Sequence, residues 1–378
     1  MDDSLALPFS NSAPARRALA RQLHVWFLKA ARDLPWRRTK DLYAIWISEV
    51  MLQQTQVVTV IPYFERFLGR FPDVAALAAA DEQEVLRLWE GLGYYRRARQ
   101  LHAAARQIVA EHRGRFPQTF AAVRSLPGIG RYTAGAVLSI GLDARLPILE
   151  ANTIRVLSRL AAFRGDPTQS AGQKRLWSLA EAILPARDVG IFNQALMELG
   201  SEICTPKAPA CDRCPVRRHC LAYERELQDQ IPVAARKTKY EEVTEAAVVV
   251  RRGGRVLVRQ CQPGERWAGL WDFPRFAARG ADMAARVSEL TGVAALVGER
   301  FAKLRHGVTR FRITLDCYEA KYIRQTRGLA ASPACIRWVS TDELAALPLS
   351  TTGRKIARLV AQSAASTPPT RKKPPAAP

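Results

Sequence analysis

Four cysteines in one short stretch have the spacing of metal ligands. Cys204, Cys211, Cys214 and Cys220 follow the pattern C-x6-C-x2-C-x5-C. Iron–sulfur clusters are held by four thiolates, and ligands this close in sequence let one compact loop surround the metal with little loss of loop entropy. Zinc sites usually arise from two CxxC-like pairs, whereas only one tight pair occurs here. The spacing therefore favours one [4Fe–4S] cluster, with a zinc knot as the alternative.

Two disulfides would also use four cysteines, but the rest of the sequence argues against them. No secretory segment opens the chain, and the other cysteines, Cys261, Cys317 and Cys335, are scattered. We therefore expect a reducing compartment, which is the cytoplasm, with association to the nucleoid if the source is bacterial.

A carboxylate on an apolar helical segment is the second candidate for chemistry. At about 100° per residue, Glu49 falls inside the apolar stripe of its segment, between Ile45 and Trp46. Burial raises the pKa of a carboxyl group and keeps it protonated near neutrality, which suits a general acid. The alternative is a structural glutamate paired with an internal arginine.

The turn Leu126-Pro127-Gly128-Ile129-Gly130 lies between two helical segments and predicts a helix-hairpin-helix motif. Its two glycines allow a tight turn whose N–H groups, with the N-terminus of the next helix, can hold a DNA phosphate. Such contacts position a protein on DNA without reading bases. An ordinary helical hairpin is the alternative.

Charge and length limit the class of protein. The 378 residues carry a formal net charge of +22, and no apolar run approaches the ~18 residues of a membrane span. A polyanion partner follows, and nucleic acid is the first candidate because lysine and arginine contacts to phosphates release counterions. A GC-rich genome that favours arginine is the competing explanation.

Periodicity changes along the chain. Helical periods dominate residues 16–223, a polar and basic stretch follows, and strand-like alternation begins near residue 243 with a hairpin around Gly253-Gly254. The predicted organisation is an all-α domain over residues 1–226, a linker over 227–239, a smaller α+β domain over 240–362, and a disordered tail over 363–378.

Several stretches resemble the adenine DNA glycosylases of the MutY family. The matching stretches are residues 48–56, 91–95, 126–133 and 192–194 and the cysteine loop. The resemblance implies an all-α helix-hairpin-helix glycosylase domain with a [4Fe–4S] loop, followed by an α+β Nudix-like domain. It also implies excision of adenine from double-stranded DNA at A:8-oxoguanine or A:G mispairs, by a monomer that does not bind membranes.

The resemblance assigns the catalytic groups. Glu49 would protonate adenine N7 as the glycosidic bond breaks, and a second carboxylate would stabilise the oxocarbenium-like sugar. The family has Asp-Gly-Asn where this chain has Glu150-Ala151-Asn152, so we expect Glu150 to stabilise the cation and Asn152 to orient nearby groups. The alternative is that Glu150 only complements the N-terminus of the following helix.

Tyr132 distinguishes two kinds of enzyme on this scaffold. Lyase-type relatives of endonuclease III carry a lysine here that forms a Schiff base with the sugar, and tyrosine cannot. The resemblance therefore implies a monofunctional glycosylase. The alternatives are an endonuclease III-like pyrimidine glycosylase or abasic lyase, and a non-catalytic DNA-binding iron–sulfur protein.

The resemblance also implies a set of substrate and DNA contacts, since the target nucleotide must leave the base stack. Gln54 and Tyr94 would be inserted around 8-oxoguanine, and Thr309 keeps a hydroxyl where the family often has Phe-Ser-His. Residues 271–298 lack the glutamates of an active Nudix box, which predicts a binding module. The expected contacts are Trp36, Arg37, Gln53, Gln54, Leu92, Tyr94, Gly128, Gly130, Gln194 and Thr309.

Overall fold

A computed structural model of the chain describes residues 12–233, 239–278, 280–326 and 335–365. Its contacts divide these residues into two compact units, of which the first holds residues 12–80 and 96–233 and the second holds the remainder. The second unit thus includes residues 81–95, which the sequence-based boundaries place in the helical domain. Residues 234–238 of the predicted linker and residues 366–378 of the predicted tail lie outside the described residues.

The first unit is built from helices. Their bounds are α1 Ala13–Ala30, α2 Leu42–Leu52, α3 Val57–Arg70, α4 Val74–Ala79, α6 Arg96–His112, α7 Phe120–Arg124, α8 Arg131–Leu142, α9 Ala151–Leu160, α10 Ser170–Ala182, α11 Val189–Glu202 and α12 Leu221–Glu224; α5, Glu82–Trp89, lies in the second unit. Short 3₁₀ turns cover Pro35–Arg37, Cys211–Arg213 and Arg217–His219.

Helix α2 runs through the middle of the first unit. Asp41 begins it by accepting hydrogen bonds from the N–H groups of Tyr43 and Ala44, and every residue from Leu42 to Met51 is buried. A helix that is apolar on all sides is one that neighbouring elements surround. The burial of Glu49 therefore follows from the position of the whole helix, and the apolar stripe was only part of the reason.

The predicted helix-hairpin-helix consists of α7, a turn over residues 125–130, and α8. Gly128 has φ +77° and a Cβ there would lie 2.8 Å from Cβ of Gln100, so this position requires glycine on two counts. Gly130 is the N-cap of α8 with φ −91°, and no heavy atom lies within 4 Å of the place its Cβ would occupy. The backbone at the start of α8 is therefore open to an approaching group.

The second unit is a mixed sheet with helices on both faces. Its strands are β1 Glu241–Arg252, β2 Arg255–Gln260, β3 Trp271–Asp272, β4 Arg275–Ala277, β5 Val293–Val308, β6 Phe311–Gln325 and β7 Ile336–Val339, and its further helices are α13 Met283–Thr291, α14 Thr341–Ala346 and α15 Thr351–Ala365. The strand order is β3-β2-β1-β6-β5, with β1 and β6 parallel, β4 beside β1 and β7 beside β2.

Side chains of β1 alternate between the two faces of the sheet, and each face has its own core. Ala247 and Val249 belong to a core with Ile356 and Val360 of α15. The alternate residues Ala246, Val248 and Val250 belong to a second core with Val287 of α13. The predicted β1–β2 hairpin is confirmed, with Arg251 opposite Val256.

The segment Asp81–Tyr95 is joined to the rest of the second unit by specific contacts. Glu90 accepts hydrogen bonds from Nε and Nη2 of Arg354 at 2.6 and 2.9 Å, and Gln83 accepts from Nε1 of Trp271 at 3.0 Å. These bonds explain why α5 clusters with the sheet, far away in sequence. No helix in the described part of the chain is both long and apolar enough to cross a lipid bilayer.

Candidate active site

A cavity of about 580 Å³ in the first unit collects most of the residues to which the sequence assigned chemistry. The predicted residues that line it are Trp36, Arg37, Glu49, Gln53, Gln54, Gly128, Gly130, Tyr132, Glu150, Asn152 and Gln194. They come from α2, α8, α9 and α11, from the 3₁₀ turn before α2, from the turn after α2, and from the residues just before α8 and α9. Residues up to 158 positions apart in sequence, Trp36 and Gln194, therefore meet at one site.

Glu49 lies in this cavity with a single short hydrogen bond. Its side chain is buried, and Oε2 accepts from the hydroxyl of Tyr132 at 2.6 Å. The pKa of Glu49 is raised to about 7: burial raises it most and nearby Glu150 adds to this, whereas the hydrogen bond from Tyr132 and the charge of Arg37 lower it. The group is therefore protonated for a large fraction of the time at neutral pH. Burial and the neighbouring carboxylates also raise the pKa of Tyr132, which stays neutral.

The turn after α2 is held by one arginine. Nη1 of Arg97 donates to the carbonyls of Val50, Met51 and Gln53 at 2.7, 3.1 and 2.6 Å. These carbonyls are among those that a helix leaves without partners at its C-terminus. Gln54 follows in the left-handed region, at φ 57°. Arg97 thus fixes the backbone that presents Gln53 and Gln54 to the cavity.

Glu150 is the N-cap of α9 and lines the cavity at the same time. Its two carboxylate oxygens accept from the N–H groups of Asn152 and Thr153, both at 2.9 Å, and its own N–H donates to Oγ1 of Thr153 at 2.7 Å. This is a capping box, which holds the carboxylate in one orientation. Burial raises the pKa of Glu150, while the two backbone hydrogen bonds lower it.

Asn152 is oriented in turn by Arg155. Nη2 of Arg155 donates to Oδ1 of Asn152 at 2.8 Å and to the carbonyl of Gly200 at 2.6 Å. Nε of the same side chain donates to the carbonyl of Cys204 at 2.6 Å. One guanidinium therefore connects the cavity wall to the start of the cysteine loop.

Two charged residues of the cavity were missed by the sequence reasoning. Glu198 and Arg32 both line it, and they are hydrogen bonded to each other and to Arg37. Glu198 lies one turn after Gln194 on α11, an apolar helix. The argument that singled out Glu49, an acid on an apolar helical segment, applies equally to Glu198.

Three predicted contacts belong to the second unit. Leu92 is buried, and Tyr94 is half-exposed with φ 45°. Thr309 lies in the β5–β6 turn with φ 51°, and its hydroxyl donates to the carbonyl of Val308 at 2.7 Å.

The four loop cysteines are free thiols of intermediate burial. Three of them, Cys204, Cys214 and Cys220, pack against the core of the first unit, and Nη1 of Arg159 donates to Sγ of Cys204 at 3.3 Å. Burial and the neighbouring thiols raise the pKa of Cys214 to about 12 and that of Cys220 to about 11. Among the described residues, however, no three acidic, histidine or cysteine side chains come close enough to hold a metal ion.

Two family models match this chain. Residues 47–182 match the HhH-GPD superfamily of base excision DNA repair proteins, and residues 246–359 match the NUDIX domain. A solved thermostable thymine-DNA glycosylase is 28% identical, with a TM-score of 0.51 over 56% of this chain and 98% of that one.

Curated relatives agree with the domain matches. An adenine DNA glycosylase of Buchnera aphidicola subsp. Schizaphis graminum is 39% identical over 67% of this chain and 73% of its own length. The Homo sapiens adenine DNA glycosylase is 40% identical over 67% of this chain, which spans about half, 48%, of that longer relative. The predicted fold, helix-hairpin-helix glycosylase followed by a Nudix-like domain, is confirmed, and the chain belongs to the adenine DNA glycosylases, the base excision repair hydrolases that act on N-glycosyl bonds.

Proposed function

We propose that this chain acts as a monomer on double-stranded DNA in the cytoplasm, and at the nucleoid if it is bacterial. Its substrate is adenine opposite 8-oxoguanine or guanine, and it leaves an intact abasic site. The observation that carries the proposal is the pair Glu49 and Tyr132, joined at 2.6 Å in a cavity that Glu150 also lines.

Glu49 acts as the general acid. Its pKa of about 7 keeps a proton available near neutrality, and the hydrogen bond from Tyr132 to Oε2 leaves Oε1 to donate to N7 of the flipped adenine. Protonation turns a poor leaving group into neutral adenine as the bond from N9 to the sugar breaks. Assistance of this kind accelerates a reaction by roughly 10²–10⁴-fold.

Glu150 stabilises the oxocarbenium-like sugar that bond cleavage leaves behind. The N–H groups of α9 hold its carboxylate in place, so it needs little reorganisation when the positive charge develops. The family's aspartate is one methylene shorter than Glu150. The capping box fixes the longer side chain, so that its carboxylate can serve the same function. A water molecule then adds to the sugar carbon and gives its proton to the carboxylate of Glu49, which restores the acid.

The same cavity argues against lyase chemistry. Tyr132 occupies the position of the Schiff-base lysine in lyase-type relatives, and no lysine is among the described residues that line the cavity. We therefore propose that a water molecule, and no amine of the protein, adds to the sugar carbon. Trapping of a covalent enzyme–DNA adduct with borohydride in good yield would contradict this.

The remaining predicted residues recognise DNA. We propose that Trp36, Arg37 and Gln194 contact the flipped adenine. The open backbone at Gly130, after the tight turn that Gly128 allows, takes a phosphate. Gln53 supports Gln54, which is inserted beside the opposite 8-oxoguanine.

The second unit recognises the opposite base. We propose that Tyr94, supported by Leu92, and the turn at Thr309 contact 8-oxoguanine. Positive φ at Tyr94 and Thr309 is unusual for residues with a Cβ and is often found at ligand contacts.

We propose that Cys204, Cys211, Cys214 and Cys220 hold a [4Fe–4S] cluster. Four soft thiols with no partner in a disulfide suit iron–sulfur ligation, and the guanidinium of Arg159 beside Cys204 offsets part of the thiolate charge. When bound, the cluster would stiffen the loop that Arg155 connects to Asn152. Iron and acid-labile sulfide analysis of anaerobically purified protein, with Cys214→Ser as the comparison, tests this assignment; zinc alone would contradict it.

Single-turnover release of adenine tests the proposed function. The substrates are duplexes with A opposite 8-oxoguanine, A opposite G, and a thymine-glycol control, each with wild type and Glu49→Gln. We expect fast release from the first duplex, slower release from the second and none from the control, with all release abolished by the substitution. DNA binding without base release would mean that the chain is a non-catalytic DNA-binding protein.

A further inference from the structure

A buried carboxylate at the wall of the cavity has no part in the two chemical steps above. The side chain of Glu198 is completely shielded from solvent. Burial alone would raise its pKa, but hydrogen bonds from Arg32 and Arg37 lower the pKa to about 2. Glu198 is therefore a permanent negative charge at neutral pH.

The hydrogen bonds fix two guanidinium groups. Arg32 donates to Glu198 through its backbone N–H at 3.0 Å, Nε at 2.8 Å and Nη2 at 2.6 Å. Arg37 donates to Oε2 of Glu198 through Nη2 at 2.9 Å and to the carbonyl of Arg32 through Nη1 at 3.0 Å. Its guanidinium also lies over the ring of Phe27, 5.1 Å from the centroid. These contacts restrict the long side chain of Arg37 to one orientation.

The charge of Arg37 bears on Glu49. The titratable and charged groups that act most strongly on Glu49 are Tyr132 from α8, Glu150 at the start of α9, and Arg37 from the 3₁₀ turn before α2. Of these, Arg37 favours the ionised form of Glu49 through its charge, which opposes the function of an acid. A carboxylate bound directly to Arg37 offsets that effect.

We propose that Glu198 is a positioning residue for base release: its carboxylate holds Arg37 at the cavity wall and balances the guanidinium charge beside the general acid. The inference rests on the proposed glycosylase function, because it concerns the rate and pH dependence of that reaction. It assigns to Glu198 no contact with the substrate.

Two substitutions separate charge from shape. Glu198→Gln keeps the size of the side chain and removes its charge, whereas Glu198→Asp keeps the charge and shortens the reach to Arg37. The matched control is Glu202→Gln, which changes a half-exposed acid on the same helix that also pairs with Arg32, at 2.9 Å. All are measured in the full-length chain by single-turnover adenine release from A:8-oxoguanine duplex across the pH range.

Glu198→Gln should slow release roughly 10- to 100-fold, because a cavity group is misplaced. In the pH–rate profile, the fall of the rate at high pH (the alkaline limb) should move to lower pH by about half a unit to one unit. The reason is that the uncompensated charge of Arg37 favours the ionised form of Glu49. Glu198→Asp should slow release less and keep the wild-type limb, and Glu202→Gln should match wild type. Affinity for product duplex with an abasic site should stay within about twofold of wild type in all three.

Several results would overturn the inference. A Glu198→Gln enzyme with the wild-type rate and limb would do so, as would one that is slower with an unmoved limb, since loss of packing alone gives that result. If Glu198→Gln does not fold, Glu198→Asp decides together with its thermal unfolding: a slower rate with the wild-type melting temperature supports the inference, because packing is then intact, whereas a wild-type rate, or a slower rate with a lowered melting temperature, overturns it. Wild type that releases no adenine overturns the proposed function and this inference together, whereas active wild type with an unaffected Glu198→Gln overturns the inference alone.

Discussion

Glu49 and Glu198, two buried carboxylates of the cavity, differ in what surrounds them. Glu49 has one hydrogen bond, from a neutral phenol, and its pKa is about 7. Glu198 has four hydrogen bonds from two arginines, and its pKa is about 2. At neutral pH Glu49 is thus protonated for a large fraction of the time while Glu198 is ionised, which is the arrangement expected where one of two acids must donate a proton.

The raised pKa of Glu49 predicts a cost in stability. The unfolded chain loses this proton near pH 4.5 and the folded chain near 7, so wild-type stability falls as pH rises between these values and stays lower above them. Glu49→Gln cannot ionise. It should abolish base release and yet raise the free energy of unfolding at pH 8 by up to about 3 kcal/mol.

Urea unfolding of wild type and Glu49→Gln at pH 4 and pH 8 measures this effect. The gain should be present at pH 8 and absent at pH 4, where both side chains are neutral. A difference of equal size at both pH values would mean that the substitution acts through packing and not through ionisation.

A substitution at Glu150 should distinguish its capping of α9 from its function in catalysis. In Glu150→Gln the amide oxygen can still accept a backbone N–H, so the change in stability should stay below about 1 kcal/mol. The lost charge should slow base release by roughly 10²–10³-fold, because an oriented carboxylate near the sugar is gone. Single-turnover release and gel shift on the same protein provide the test, with Glu150→Asp as the control that keeps both functions. An unchanged rate in Glu150→Gln would leave Glu150 with the capping function alone.

Sequence reasoning at this scale worked where an individual residue was out of place. Glu49 was found because an acid stood on an apolar segment, and Gly128 because a turn needed it. The pairing of Arg37 with Glu198 joins residues 161 positions apart, and no local pattern contains that information. Glu150 both caps α9 and lines the cavity, which the sequence spacing left as two alternatives because spacing does not say which way a carboxylate points.

Helix α2 carries the acid, and its C-terminus is where the fold and the site are coupled. Arg97 donates to three carbonyls there, so the turn that presents Gln54 depends on a side chain of α6. Arg97→Met should destabilise the fold by about 2–3 kcal/mol, because buried carbonyls lose a charged donor. It should also slow base release while leaving the alkaline limb in place, since none of the groups around Glu49 changes.

The control for Arg97→Met is Arg106→Met, an exposed position on the same helix, which should match wild type. Thermal unfolding gives the stability, and the pH profile of single-turnover release gives the limb. A shifted limb in Arg97→Met would mean that the turn and the acid are not independent.

Helices were predicted correctly from the sequence where the segment was long enough to show a period. The longer helices of the first unit were found from a 3.6-residue period, whereas α4 and α7, of 6 and 5 residues, are too short to show one. Strand β5 was missed because much of it is exposed and charged. The grouping of α5 with the sheet depends on Glu90 and Arg354, 264 residues apart, which a reading along the chain does not detect.

At the scale of the whole molecule, the charge of +22 predicts strongly salt-dependent DNA binding. If six or more phosphates are contacted, affinity for undamaged duplex should fall about 10³-fold or more between about 50 and 200 mM salt. Fluorescence anisotropy against salt concentration measures the slope. A nearly flat dependence would mean that the excess arginine reflects composition and not a DNA surface.

We expect the preference for 8-oxoguanine over guanine to depend on the second unit. The Thr309 hydroxyl bonds to the adjacent carbonyl of Val308 in the left-handed turn between β5 and β6, so the turn is shaped before DNA arrives. Thr309→Ala removes one hydroxyl, and a neutral hydrogen bond contributes about 0.5–1.5 kcal/mol. The rate ratio between A:8-oxoguanine and A:G duplexes, at enzyme concentrations below saturation, should therefore fall by roughly 2- to 10-fold.

The A:G rate of the same variant is the internal control, because it reports the acid and the cavity without the lesion. An unchanged ratio would place recognition of 8-oxoguanine on Gln54 and Tyr94, and an equal loss on both duplexes would mean that the turn serves DNA binding in general.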